Sequence, residues 1–515
     1  MADNTPIDLS TLSPADRARL EDVIKNGWRL TPATCASKIT GGKWKAAKHL
    51  QYISSIVATE IAKGDARIIM TMPARHGKSE FLSVHTPVWF LERWPEKYVM
   101  NLSYGAELAT DFSYKVRAIF EDKDLHHLLT TRLDPKKKQI DRFLTTKGGG
   151  VTAAGIGGTI TGRGADLMLI DDYIKNAEEA LSESANNKIW EWFKSTAYTR
   201  LEPGASLIIL ATRWSQNDLI ERCLNEMPQE NWIVIRLPAL AEENDPLGRE
   251  PGEALWPERY SRKRLLRIKR GVGSFWWSAM YQQNPKASMA GQDLGDKLQI
   301  IPMNEVPPES ELDILRAWDL AATQGGGDYT AGPKMAYHRK TNRTIILDMV
   351  TFQKSPHNTE KAINEVANLD GSGYTIYMEQ EPGSAGVGAI ERYTLEVLSG
   401  FQVVAEKPTG KIEVRASSFL ADVESGSVVA VKAKWNDSLI KELNGFPDGT
   451  HDDQISACSL GHKRLQKKKF GGSTWGRNRK DAAGKNIVKT KRAYENSEHT
   501  GRQSSVVFGR RRRGY

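Results

Sequence analysis

A short loop closed by Gly77, Lys78 and Ser79 is the segment of this sequence with the clearest chemistry. It follows an apolar run at 68–72, and a helical pattern of apolar residues comes after it. Strand, tight loop and helix in this order are what a P-loop requires. There, backbone N–H groups wrap phosphates at a helix N-terminus, the Lys reaches the β- and γ-phosphates, and the Ser hydroxyl binds Mg²⁺.

Two residues depart from the P-loop pattern. Met72 stands where the first Gly of the motif is expected, and Pro87 is expected to kink or shorten the following helix. A chance Gly-Lys-Ser in a surface turn is therefore the alternative interpretation.

A second apolar run, at 166–170, ends in two acids. A carboxylate at the carboxyl end of a parallel core strand is the Mg²⁺-binding partner that a P-loop needs, so Asp171 is predicted to hold the metal. Asp172 is placed to orient the attacking water, with the nearby Glu178 and Glu179 as alternatives for this base. An Asx turn is the ordinary alternative for the acids. Together with Lys78, they favour an NTPase.

Two further residues are candidates for the same site. A third apolar run ends at Thr212, whose hydroxyl can sense a γ-phosphate, although such a residue is often only a strand end. The Gly-rich segment 148–164 is predicted to be a loop, and Arg163 within it is a candidate phosphate contact or arginine finger; a solvated turn residue is the alternative. Strands that alternate with helices and end in such residues predict a doubly wound, mostly parallel α/β sheet.

Three acids in the last part of the chain predict a second site. Asp319 lies on the first predicted strand of that region, Glu379 ends the fourth, and Asp453 lies in the first turn of a late helix. This is an RNase H-like order, in which two divalent cations about 4 Å apart clamp the attacking and leaving oxygens of a phosphodiester. Each acid alone also fits an ordinary strand or helix end. Neighbouring polar residues remain alternative ligands or auxiliaries: Glu381, Asp452, Asp328 and His451.

Length and composition limit the class of protein. A chain of 515 residues should hold two or three domains. The three cysteines, Cys35, Cys223 and Cys458, lack metal-ligand spacing and predict neither disulfides nor zinc. No apolar run approaches the about 20 residues of a membrane span. These features predict a soluble, intracellular protein.

Positive charge is concentrated at the end of the chain. The net charge is +9, yet residues 461–515 carry 17 Lys and Arg against 3 acids, so the remaining residues are net negative. This composition cannot bury enough apolar surface to offset the entropy of ordering, which predicts disorder. The segment could bind nucleic acid by neutralising phosphates, or act as a solubilising or protein-docking arm.

Composition shifts divide the chain into five predicted parts. These are an N-terminal helical segment (1–45), a P-loop ATPase domain of the ASCE type (46–280), a linker (281–311), an RNase H-like nuclease domain (312–465) and a basic disordered tail (466–515).

An ATPase followed by a two-metal nuclease resembles the large terminase subunit of tailed double-stranded DNA bacteriophages. In that family the first Gly of the P-loop is commonly lost and an Arg lies within the loop, as Arg75 does here. The resemblance covers about residues 40–465 and rests on these segments: Pro73–Ser79, Thr161–Asp166, Ile170–Asp172, Ala211–Trp214, Leu255–Arg259, Tyr281–Pro285, Trp318–Asp319, Glu379–Gly383 and His451–Asp453.

The resemblance implies site residues and cofactors. ATP with Mg²⁺ would be bound by Gln51, which would contact adenine, and by Arg75, His76, Gly77, Lys78, Ser79, Asp171 and Thr212. Two Mg²⁺ or Mn²⁺ ions would be bound by Asp319, Glu379, Asp453 and Asp452.

The resemblance also implies partners and a place of action. The partners would be double-stranded DNA, a small terminase subunit, the portal of the procapsid and further copies of the chain in a ring, a pentamer in this family. The protein would act in the host cytoplasm, dock transiently on the portal and be absent from the mature virion. A helicase-nuclease of repair or replication is the alternative, but residues 215–310 show no second set of strand-end NTP motifs.

Overall fold

The computed structural model describes residues 13, 26–160, 162–286, 293–321, 327–380, 383–408 and 410–470. The chain as far as Leu465 forms one compact unit of mixed α/β structure, with two mostly parallel sheets. Glu381 and the predicted tail beyond residue 470 lie outside the described residues.

The first sheet has eight strands within the described residues. They are β1 Arg67–Thr71, β2 Tyr98–Ser103, β3 Leu133–Lys138, β4 Arg142–Thr145, β5 Gly150–Gly155, β6 Ala165–Asp171, β7 Leu201–Ala211 and β8 Ile233–Arg236. The helices around it are α1 Pro32–Ile39, α2 Lys48–Lys63, α3 Thr86–Arg93, α4 Ala106–Glu121, α5 Ala177–Ala180, α6 Glu183–Trp192, α7 Leu219–Glu226 and α8 Arg262–Trp276.

The strand order of this sheet is β3-β4-β5-β2-β6-β7-β1-β8, and all pairs from β5 to β8 are parallel. The carboxyl-terminal parts of the central strands β1, β2, β6 and β7 are buried and mostly apolar, as expected for a sheet covered on both faces. β7 lies between β1, which leads into the P-loop, and β6, which ends in the acids. This interposed strand is the ASCE arrangement that the sequence predicts.

The Gly-rich segment was predicted to be a loop, and this is wrong for residues 150–155, which form β5. A Cβ on Gly149 would lie 2.2 Å from the carbonyl oxygen of Lys97, and one on Gly150 would lie 2.2 Å from that of Phe143. These glycines therefore allow the backbones to approach closely, and they do not mark an irregular chain. Pro87 is the second residue of α3, where proline is tolerated, and a wider helical turn at Glu80–His85 precedes it.

The second sheet has the order β14-β13-β10-β11-β12-β15-β9. Its strands are β9 Gln299–Ile301, β10 Leu312–Trp318, β11 Thr330–His338, β12 Arg343–Phe352, β13 Thr375–Glu379, β14 Gln402–Glu406 and β15 Val428–Val431. Its helices are α9 Pro356–Asp370, α10 Ser384–Arg392, α11 Ile412–Glu424, α12 Asn436–Gly445 and α13 Asp453–Phe470. β10, β11 and β12 form an antiparallel meander with β13 parallel to β10, which is the predicted RNase H-like topology.

One helix connects the two sheets. α8 is interrupted at Gly273, whose φ of 77° lies in the left-handed region. After this break Phe275 and Trp276 enter the hydrophobic core of the second sheet, and the backbone N–H of Ser274 donates to Glu424 of α11 at 2.8 Å. In the described part of the chain, no helix is long and apolar enough to cross a membrane.

Candidate functional sites

The strand order of the first sheet brings three predicted residues into contact at its carboxyl edge. Lys78 follows β1, Thr212 follows β7 and Asp172 follows β6, so the threonine lies between the other two. The Lys78 ammonium donates to Thr212 Oγ1 at 2.7 Å and forms an ion pair with Asp172. The backbone N–H of Thr212 donates to the same Asp172 oxygen at 3.2 Å. A negatively charged ligand at this edge would contact a buried cation, because Lys78 is only 5% exposed.

Asp171, the last residue of β6, is fully enclosed. Ser83 donates to one carboxylate oxygen at 2.9 Å, while the other oxygen is buried and has no hydrogen-bond partner among the described residues. Burial, and then the charge of Asp172, raises the pKa of Asp171 to about 7, although Lys78 acts in the opposite direction. A buried carboxylate oxygen without a partner is suited to a hard divalent cation.

The backbone around this edge is strained. Arg75 and Asp172 have φ values of 64° and 46°, which non-glycine residues adopt rarely, and Gly77 has a φ of 85°. Asp172 is held there because its N–H donates to Leu210 and its carbonyl accepts from Tyr104. Strain of this kind persists only where neighbouring contacts enforce it, and it concentrates at functional sites.

Two buried histidines, one of them in the P-loop, contact each other and two further aromatic residues. His49 Nε2 donates to the carbonyl oxygen of His76 at 2.9 Å, and burial lowers the pKa of both rings to about 4. The ring of His76 stacks on Tyr260 with centroids 5.0 Å apart, and Trp256 lies 5.3 Å from His49. Sequence reasoning assigned no role to His49, Trp256 or Tyr260, because only the fold brings them to the loop.

The other residues predicted to bind the nucleotide lie on the P-loop or on α2. Ser79 is half-buried just after Lys78, and Arg75 is exposed on the loop. Gln51 is exposed on α2 and donates to the carbonyl of Ala46 at 2.7 Å. A cavity of about 680 Å³ lies beside this helix start and is lined by residues 45–48, 247–249 and 253–259. Glu179, an alternative for the base, accepts from the N–H of Lys175 at 2.6 Å.

Arg163 lies at the opposite end of β6 from the two acids. It precedes Ala165, the first residue of this seven-residue strand, whereas Asp171 is the last. At about 3.3 Å per residue the strand separates them by about 20 Å. Arg163 therefore does not reach the Lys78 site of its own chain in this conformation.

The second sheet brings the predicted nuclease acids to one region. Asp319 follows β10, and its backbone pairs with Ala331 of β11. Glu379 ends the neighbouring β13, and Asp453 begins α13. Burial raises the pKa of Asp319 to about 7, and the charges of Glu379 and Asp453 add to this shift. Their mutual repulsion shows that the three acids are near neighbours.

Arg415 of α11 is a residue that the sequence analysis missed. Its Nη1 donates to both carboxylate oxygens of Glu379 at 2.8 Å. Its charge also opposes the rise in pKa of Asp319 and of Asp452, both of which are desolvated. A single Arg on an amphipathic helix gives no signal in the sequence. Only the packing of α11 reveals that Arg415 neutralises the acid cluster.

The acids are not arranged as a finished metal site. Among the described residues, no group of three or more His, Cys, Asp or Glu side chains is arranged to hold a metal ion. Glu379 instead faces Arg415, while Asp453 Oδ2 is buried, has no hydrogen-bond partner in the described part of the chain and lies 3.7 Å from His451 Nδ1. These carboxylates suit divalent cations, because several of them meet near the Arg415 guanidinium, whose single charge does not neutralise them all.

Two family models match the sequence. The model described as "Terminase large subunit, T4likevirus-type, N-terminal" matches residues 69–283, the range that contains Lys78, Asp171 and Thr212. The model described as "Terminase RNaseH-like domain" matches residues 316–465, which contain Asp319, Glu379 and Asp453. Together the two ranges take in most of the chain. No curated protein matches the sequence.

Solved structures that match this chain include two large terminases and one terminase nuclease domain. The large terminase of a thermophilic bacteriophage, in complex with ADP, is 12% identical, with 80% of this chain and 96% of that chain covered and a TM-score of 0.43. The bacteriophage HK97 large terminase is 10% identical, with coverage of 77% and 90% and a TM-score of 0.31. The human cytomegalovirus terminase nuclease domain is 13% identical, with coverage of 34% and 94% and a TM-score of 0.27.

Proposed function

Because this chain belongs to the terminase large-subunit family, with its ATPase and RNase H-like domains, we propose that it is the motor subunit of viral DNA packaging. It hydrolyses ATP to translocate double-stranded DNA through the portal into the procapsid, and it cleaves concatemeric DNA with a two-metal endonuclease. The contact of Lys78 with Thr212 and Asp172 at one sheet edge carries this proposal most directly. It joins a phosphate-binding cation, a γ-phosphate sensor and a base in one place.

In the ATPase reaction, Lys78 binds the β- and γ-phosphates and Asp172 orients the attacking water. Ser79 and Asp171 would hold Mg²⁺, which neutralises charge on the phosphate oxygens when it is bound. The ion pair between Lys78 and Asp172 must break before Lys78 can bind phosphate and Asp172 can orient water. It forms again when the phosphate leaves. Thr212 contacts both groups, so it is placed to transmit this change along β7.

In the nuclease reaction, Asp319, Glu379 and Asp453 would hold two divalent cations, with Asp452 as the alternative to Asp453. When bound, such ions stabilise the attacking and leaving oxygens of an in-line displacement. Glu379 becomes available as a ligand only when Arg415 releases it. Arg415 then lies free beside the acids, where its guanidinium can bind a phosphate of the DNA strand.

The proposed partners follow from this activity. They are double-stranded DNA, a small terminase subunit, the portal protein and further copies of the chain in a ring of five. We also propose the predicted domain organisation, with boundaries at residues 1–45, 46–280, 281–311, 312–465 and 466–515. The protein would act in the host cytoplasm and dock transiently on the portal.

A comparison of duplex translocation with unwinding tests the function. The purified chain should hydrolyse ATP faster with blunt double-stranded DNA present, should nick plasmid DNA with Mg²⁺ or Mn²⁺, and should leave a forked duplex paired. Release of the displaced strand from the fork, dependent on ATP, would instead support a helicase-nuclease. Absence of both ATP hydrolysis and nicking would contradict the proposed function.

The position of Arg163 predicts a role in a neighbouring subunit. Arg163→Ala should lose most ATP hydrolysis as a uniform ring, because an arginine finger typically contributes about 10³-fold or more. Mixed with Lys78→Ala subunits, it should regain part of the activity where an intact Arg163 meets an intact Lys78 across an interface. Steady-state hydrolysis over a series of mixing ratios measures this rescue. No rescue at any ratio would leave Arg163 a structural residue.

The pairing of Arg415 with Glu379 predicts competition with metal binding. Arg415→Ala should bind Mn²⁺ about tenfold more tightly, because the acids lose the guanidinium that pairs with Glu379, and Glu379 is freed. Calorimetric titration of the DNA-free chain measures this affinity without relying on cleavage. Arg415→Lys keeps the charge and is the matched control, with an affinity near that of the wild type. Unchanged or weaker binding by Arg415→Ala would show that Arg415 does not restrain Glu379.

A further inference from the structure

The first part of α8 carries an unusual density of positive charge. Between residues 262 and 270 there are six basic side chains and no acid, and all six are exposed: Arg262, Lys263, Arg264, Arg267, Lys269 and Arg270. None of them forms an ion pair with an acid of the described residues, although Arg264 lies over the ring of Tyr260 at 4.9 Å.

This charge pattern opposes the stability of the helix that carries it. Arg262, Lys263 and Arg264 lie in the first turn, where the helix dipole favours acids, and that turn contains none. Lys263 and Arg267 are four residues apart, and like charges at this spacing repel each other on one helix face. Residues that destabilise their own helix are expected where they bind a ligand, because a ligand of opposite charge removes the repulsion between them.

The cations are presented on a fixed element of the fold. Leu265 of the same helix is fully buried in a cluster that includes Ala239 and Trp277. Beyond the break at Gly273, Trp276 packs in the core of the second sheet. Both ends of α8 are therefore anchored by packing, so the backbone that carries the charged side chains is held in place.

We infer that the exposed face of α8 binds the phosphate backbone of double-stranded DNA. Lys263, Arg267 and Arg270 follow one another at four- and three-residue steps, so they share a face about 10 Å long. Duplex DNA carries about one charge per 1.7 Å of its axis, which offers several phosphates over that length. The inference deepens the proposed function, on which the double-stranded form of the DNA rests. It adds a contact surface made of residues that belong to neither site.

Salt-dependent binding of a blunt 30-bp duplex, without ATP and with metal chelated, tests the inference. The triple variant Lys263→Gln, Arg267→Gln, Arg270→Gln should reduce the slope of log affinity against log salt concentration by about 2.7, or about 0.9 per lost phosphate contact. Its affinity at low salt should fall at least tenfold, while ATP hydrolysis without DNA stays unchanged. The sequence preference should not change, since backbone contacts carry no sequence information.

Two matched variants separate this surface from general charge and from misfolding. Lys123→Gln, Lys188→Gln, Lys361→Gln removes three exposed charges from a short turn, α6 and α9, and it should keep the wild-type slope. Lys263→Arg, Arg267→Lys, Arg270→Lys retains the charge on α8 and should also keep it.

Three results would overturn the inference while the proposed function stands. One is an unchanged slope in the α8 Gln variant, and another is an equal loss in the control Gln variant. The third is a changed oligomeric state in sedimentation with unchanged DNA binding, which would make the face a contact between copies of the chain. Wild-type protein that neither binds the duplex nor hydrolyses ATP would contradict the proposed function itself.

Discussion

Lys78→Ala should reduce ATP hydrolysis by at least about 10³-fold and abolish packaging, while DNA cleavage continues. The substitution removes the cation that contacts both Thr212 and Asp172. Preorganised charges aimed at a transferring phosphoryl group supply a large share of the rate enhancement, because they act where water is excluded. The nuclease acids belong to the other sheet, so their activity should not depend on this ammonium. Phosphate release and plasmid nicking on the same preparation measure both effects.

Lys63→Ala is the matched control for this experiment. Lys63 lies at the end of α2, is 63% exposed and pairs only with Glu60 in the described structure, so its loss should leave hydrolysis within about twofold. Retained nicking by Lys78→Ala shows that the variant is folded. Hydrolysis near the wild-type rate in Lys78→Ala would show that the loop does not bind the phosphates of ATP.

The sequence predicted the ATPase edge because its elements follow simple rules. One apolar run leads into the loop that carries Lys78, two others end in Asp171 and Thr212, and parallel strands bring their carboxyl ends to one edge. Lys78, Asp171 and Thr212 could therefore be expected together from the sequence alone. The interposed strand explains why Thr212 contacts Lys78. The roles of these residues stay predictions, since their contacts alone do not measure catalysis.

What the sequence could not predict depends on contacts between distant segments. β5 escaped prediction because its glycines serve close packing with Lys97 and Phe143, and glycine density alone favours a loop. Arg415 lies 36 residues from Glu379 on a helix of ordinary pattern. Trp256 and His49 meet behind the P-loop although about 200 residues separate them. Long-range pairs of this kind have no periodic signature.

Asp319→Ala, Glu379→Ala and Asp453→Ala should each reduce DNA cleavage by at least about 10³-fold and leave ATP hydrolysis intact. Each acid supplies part of the negative charge that would hold two cations, and the loss of one ligand empties or misplaces an ion. Burial, and then the charges of Glu379 and Asp453, raises the pKa of Asp319 in the metal-free chain. Removing Asp319 or Asp453 should therefore not destabilise the fold, whereas Glu379→Ala also removes the partner of Arg415. Plasmid nicking in Mg²⁺ and in Mn²⁺, with thermal unfolding of each variant, measures both expectations.

Asp437→Ala is the matched control, since Asp437 is an exposed acid in the first turn of α12 and should leave nicking unchanged. Two further variants, Glu381→Ala and Asp452→Ala, decide the remaining choices of ligand. If Glu379→Ala nicks DNA fully and Glu381→Ala does not, Glu381 is the metal ligand in place of Glu379. The same comparison of variants decides between Asp453 and Asp452. Full nicking by Asp319→Ala would contradict the two-metal site as a whole, because β10 carries no other acid at its carboxyl end within the described residues.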